Sequence, residues 1–150
     1  MSEPTEVTEA RSRMHEFLSS FKDVSHHDDG TASLQYGSAR VVVSVEVFDE
    51  DQAVVKVRSQ LVTGAKSSPE LFHHVATQST ELGHLRAVEE EDGSVTILLS
   101  HSLLGEFLNP AELRLTIVAL ALVGDQFDDL LAERFGGTVF DAESNLLPGV

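Results

Sequence analysis

The chain has 150 residues, 41% of them hydrophobic, with 25 acidic against 10 basic side chains, a formal charge of −15 and no cysteine. That length suits one domain burying roughly 68–70% of its unfolded surface, and the hydrophobic fraction is that of a globular chain rather than a disordered one. The missing cysteines exclude a disulfide scaffold, a thiolate metal centre and a cysteine nucleophile, while the acidic balance opposes binding to nucleic-acid phosphates and anionic membranes.

The N-terminal Met1–Glu9 carries three glutamates and no apolar run, the reverse of a signal peptide. The longest uncharged apolar stretch, Leu115–Gly124, falls well short of the ~20 residues that cross a bilayer. The expectation is a cytoplasmic protein with neither membrane nor nucleic acid as partner. Val7, Ala10, Met14, Phe17, Leu18 and Phe21 recur at three- and four-residue steps and predict a helix over Glu6–Lys22. Ser25–Gly30 reads as a polar turn.

A β-region follows, with a short strand at Ser33–Tyr36 and a longer one at Arg40–Phe48. Val41, Val43, Val45 and Val47 alternate onto one face, the signature of a half-buried strand. After the loop Asp49–Gln52, a return strand at Ala53–Val62 buries Val55, Val57 and Leu61 and places Lys56 and Arg58 outward, near Glu46. Ser68-Pro69-Glu70 opens a second helix with a capping serine and a first-turn proline, ending at Gly83. Strands at His84–Glu90 and Ser94–His101 flank the hairpin signal Asp92-Gly93.

Asn109-Pro110-Ala111-Glu112 combines a cap, a first-turn proline and a capping-box glutamate. It predicts a helix running to Phe135 and stopped by Gly136-Gly137, about 39 Å long. Leu113, Ile117, Leu120, Gly124, Phe127, Leu131 and Phe135 form its sheet-facing stripe. The opposite side begins apolar, with Leu115, Val118, Ala119 and Leu122, then turns polar at Gln126, Asp129 and Glu133. Such a helix needs a second cover over its first half. A twofold copy supplies one; the first helix or the 138–150 tail supplies another. Leu115, Val118 and Leu122 are accordingly the expected dimer contacts. The domain is expected over 1–137 and the tail over 138–150.

Little points to catalysis. His26, His27, Asp28 and Asp29, or His73 and His74, are metal-competent side chains, but adjacent histidines on a helix diverge by about 100°. The paired-histidine zinc helix, the nucleophile elbow and the phosphate loop are absent. The run Glu89–Asp92 reads as a solvated hairpin tip. No catalytic residue, metal site or cofactor is expected.

The order helix, three strands, helix, two strands, long helix resembles the YbjN and type III secretion chaperone-like (TY-chap) superfamily. The resemblance spans Glu6–Gly137 and is carried by the valine-rich hairpin Arg40–Val62, the helix start Ser68–Leu71 and Asp92-Gly93-Ser94-Val95. It continues through Leu103-Leu104-Gly105 and Asn109–Leu113. It implies an α+β domain of order α-β-β-β-α-β-β-α, an antiparallel sheet packed with helices, non-enzymatic and often dimeric. Secretion chaperones of that group hold a protein or peptide client against apolar surface; other members are regulators of stress or sensory responses. Val42, Phe48, Val54 and Val62, read as sharing the strand face of Glu46, Lys56 and Arg58, are the candidate client contacts. The same residues can instead lie under the first helix.

Overall fold

In the computed structural model, which describes residues 3–139, the expected α+β order is present around an antiparallel sheet, with two-residue strands added before and after it. Helix α1 (Thr5–Leu18) buries Val7, Ala10, Met14 and Leu18. It stops at Leu18 rather than Lys22. Ser19 and Ser20 donate their hydroxyls back to the Glu16 and Phe17 carbonyls, and Asp23 then takes a left-handed φ of 57°.

The polar turn is tighter than its sequence suggests. The Thr31 amide and hydroxyl both donate to the Asp29 carboxylate, and this closure lets β1 (Ser25–His26) pair with β2 (Ala32–Tyr36). Strands β3 (Ala39–Asp49) and β4 (Gln52–Ala65) form the long hairpin. Helix α2 (Pro69–Thr77) has the Ser68 cap, with the Leu71 amide donating to its Oγ. It ends at Thr77, well before Gly83, because the Gln78 side chain donates to the Ser79 carbonyl and the Thr80 hydroxyl to that of Gly83. These bonds offer the backbone an alternative to continued helix.

Strand β5 (His84–Glu89) pairs with β6 (Val95–Leu104), which runs three residues beyond the expected His101. A 3-10 turn (Gly105–Phe107) leads into α3 (Pro110–Phe135). The Glu112 amide donates to Asn109 Oδ1 and Asn109 Nδ2 donates to the Glu112 carboxylate, so the capping box forms as read. Strand β7 (Thr138–Val139) pairs with Thr63 and Val62 of β4. The first two tail residues thus join the sheet; the remaining positions of the tail lie outside the described residues.

The sheet order is β1-β2-β3-β4-β6-β5, with β7 on β4. Both long helices cover the face that carries Val41, Val43, Val45, Val55, Val57 and Leu99, all buried. A Cβ on Gly105 would meet Ala53 and Ala10 at 2.9 and 3.1 Å, and one on Gly124 would meet Leu61 at 2.8 Å. These close approaches set α1 over one end of β4 and α3 over the other. Helix α2 packs against β5 and, through His74 beside Phe135 and Arg134, against the end of α3.

The pairing arranges the opposite face in rows. Ser33, Val42, Arg58, Ser100 and His84 lie side by side across five strands. Ser44, Lys56 and Ser102 form the next row, and Glu46, Val54 and Leu104 the one after. Among the described residues no helix packs on this face.

Candidate functional site: two apolar surfaces

Strict alternation along β4 puts Val62 with Lys56 and Arg58. The register instead shifts between Gln60, paired with Leu98, and Val62, paired with Ile97. Leu61 is the extra residue, and the bulge turns both Leu61 and Val62 inward. Val62 is accordingly fully buried beside Ile97 and does not share the face assigned to it. Val42 and Val54 do share that face, half-buried and 9% exposed respectively.

Phe48 stands at the hairpin end, where a second register shift falls between Val47 and Asp49. Val47, read as buried by its alternation with Val45, is 52% exposed although it still pairs in register with Ala53 on the helix-covered face. Around the β3–β4 hairpin end, Phe48 is 63% exposed, Leu104 beside Val54 is 56% exposed, and Phe107 in the following turn is 71% exposed. Scattered apolar residues at a surface are ordinary, but Phe48, Leu104 and Phe107 concentrate large exposed ones at one end of the sheet, with Val47 on its opposite face. Leu104 and Phe107 escaped the sequence reading because β6 was expected to stop at His101.

The second surface is the outer side of α3. Its sheet-facing stripe is as read: Leu113, Ile117, Leu120, Gly124, Leu131 and Phe135 are buried, and Phe127 is half-buried. Of the expected dimer contacts, Leu115 is 69% and Leu122 55% exposed, while Val118 is half-buried. Leu130, missed because its neighbours are polar, is 62% exposed. Among the described residues neither α1 nor another element covers this side. The early end of α2 leaves hollows between α3 and residues 74–82. One is lined by Leu82, His101, Leu115 and Ala119, the next by Val123 and Phe127, and the last by His74, Phe127 and Leu130.

Polar groups are arranged for structure around these surfaces. Lys56 lies 2.7 Å and Arg58 3.7 Å from the Glu46 carboxylate, and the Lys56 hydrogen bond holds Glu46 below its ordinary value. His15 and His26 face each other through their Nδ1 atoms at 2.5 Å. Burial, then the charge of His26, hold His15 below the ordinary imidazole value. Of the metal-competent residues, His27 bonds Ser33 and Asp29 holds the turn. Among the described residues no three His, Asp or Glu side chains are grouped to hold a metal ion, and no helix is long and apolar enough to cross a membrane.

Comparison with known proteins agrees with this architecture. The family described as "T3SS (YopN, CesT) and YbjN peptide-binding chaperone 1" matches residues 6–143. Among solved structures, the ExsC-ExsE complex superposes with a TM-score of 0.58 at 15% identity, covering 86% of this chain and 97% of that one. The HopA1-SchA chaperone-effector complex superposes with a TM-score of 0.51 at 15% identity, covering 82% and 91%. No curated protein matches the chain.

Proposed function

The chain belongs to the T3SS and YbjN peptide-binding chaperone family, and from that membership we propose a non-enzymatic, cytoplasmic module that buries an apolar segment of a protein or peptide partner. The observation that carries this reading is the patch at the β3–β4 hairpin end, where Phe48, Leu104 and Phe107 are each more than half exposed. Val54 forms the floor beside Leu104, and Val42 continues the same face. A partner's apolar side chains gain by leaving water there, at ~25 cal/mol per Å² buried. Val62, buried beside Ile97 toward the other end of β4, is not part of this patch.

The outer side of α3, with Leu115, Val118 and Leu122, serves a different end in this reading: it pairs two copies about a twofold axis. An alternative uses the same dimer as a regulatory adaptor in a stress or sensory response, without an unfolded client. A fluorescein-labelled twelve-residue peptide of alternating leucine and serine distinguishes the two. Wild type is expected to bind it, and Phe48→Asp with Leu104→Asp to weaken binding at least tenfold at an unchanged circular-dichroism spectrum. A dimeric wild type that ignores the peptide overturns the client reading in favour of the adaptor.

A further inference from the structure

The open sheet face is charged against the rest of the chain. In a protein of net charge −15, it gathers Arg40 on β3, Lys56 and Arg58 on the adjoining β4, and Arg86 on β5, one strand further on beyond β6. Glu46 pairs with Lys56 and lies near Arg58. Glu90, at the β5–β6 hairpin margin, accepts a hydrogen bond from Thr96. Among the described residues no carboxylate lies within ion-pair distance of Arg40 or Arg86.

Arg40 donates to the Ser33 hydroxyl, and partial burial holds it below the ordinary guanidinium value. A cation partly stripped of water and given no counter-ion is at a cost that an incoming anion relieves. Two further polar atoms lie beneath the surface of this face without a hydrogen-bond partner among the described residues. Ser44 is 8% exposed, and neither its Oγ nor the Arg58 Nε makes a hydrogen bond among the described residues.

We propose that the open sheet face of Arg40, Arg58 and Arg86 binds an acidic, extended polypeptide segment of a partner. The register supplies the spacing. Arg58 is diagonal to Arg40 on the adjoining strand, and Arg86 lies beyond β6. With strands ~4.8 Å apart and ~3.4 Å per residue, Arg40 lies about 8 Å and Arg86 about 12 Å from Arg58, and Arg40 and Arg86 lie about 14 Å apart. An extended chain spans these distances in roughly three to four residues. Arginine forks also suit carboxylates geometrically.

A second copy is a poor occupant, because a twofold contact would set these cations against one another. Long nucleic acid is also disfavoured: so few cations offer little counterion release, and the acidic remainder repels it. A local patch still acts at short range, since charges more than ~8 Å away are screened at physiological salt.

The inference rests on the reading of the chain as a binding module but uses a different surface and probe. A labelled nine-residue peptide of alternating glutamate and serine is titrated against the full chain at 50 and 300 mM salt. Binding is expected at low salt, at least tenfold weaker at high salt, with no binding of the lysine–serine counterpart. Arg40→Glu with Arg86→Glu should weaken it at least tenfold at an unchanged circular-dichroism spectrum, while the two lysine substitutions retain most of it.

Failure of the acidic peptide to bind, or equal binding by the folded double glutamate variant, overturns the proposal. So does equal affinity for a labelled twelve-nucleotide thymidine strand. Binding that appears only in Asp141→Asn with Glu143→Gln also overturns it, assigning the face to the chain's own tail. Loss of leucine–serine binding alone leaves this result untouched, so the two readings fail separately.

Discussion

At the scale of single residues, the pair His15–His26 links α1 to the first strand through two ring nitrogens that can share only one proton. Arg11 on α1 adds to the positive surroundings of His15. On the far side of the molecule, His74 is also held below the ordinary imidazole value of 6.5, by burial first and then by Arg134 and His73. Both histidines therefore bind fewer protons folded than unfolded. Their contribution is present above pH ~6.5 and is lost as the pH falls toward the folded values. The urea midpoint is expected to drop between pH 7.5 and 5.5, and His15→Gln with His74→Gln to flatten that drop. An equally steep loss in the double variant would refute the assignment. Glu46 acts lower, below its ordinary value of 4.5, outside this window.

At the scale of elements, the ends of α3 were legible because both carry chemistry specific to helix termini: Asn109 and Glu112 at one, Gly136 and Gly137 at the other. The end of α2 was not. Leu82 continues the apolar spacing past Thr77, and the competing side-chain bonds of Gln78 and Thr80 leave no periodic mark. The Leu61 bulge is equally silent in sequence, since an inserted residue in Leu-Val reads as continued strand. That silence misplaced Val62, whereas period alone put Leu115 and Leu122 on the side of the long helix away from the sheet, where both are exposed. The glycine pair makes the geometry testable. Gly136 and Gly137 have φ of 80° and 89°, but only Gly137 is crowded: a Cβ there would lie 2.6 Å from the Thr63 carbonyl and 2.8 Å from the Ala65 nitrogen. Gly136→Ala should cost ~1–3 kcal/mol for backbone strain alone, and Gly137→Ala measurably more by urea denaturation. Equal losses would show that the close approach to β4 is inconsequential.

At the scale of the whole molecule, two apolar surfaces on different sides suit two different associations. Light scattering should give wild type about twice its 16.3 kDa mass, and Leu122→Asp the monomer mass with an unchanged circular-dichroism spectrum. A charge buried at a twofold contact meets its own copy as well as losing water. A folded wild-type monomer would remove the dimer and leave the α3 hollows open to a partner. Because each copy carries a net charge of −15, the dimer should tighten with added salt as mutual repulsion is screened.

The sheet order has a thermodynamic consequence. Strand β4, from the middle of the sequence, joins the N-terminal meander to the β5–β6 hairpin. A chain lying along the row from Ser33 to His84 touches strands from both parts. Such a ligand has its full site only when those parts are docked, so occupancy and integrity of the fold become linked quantities. At a free concentration one hundred times the dissociation constant, binding confined to the folded state adds ~2.7 kcal/mol to the unfolding free energy. A cargo held across that seam would protect its carrier from proteolysis by mass action, and an emptied carrier would open more often.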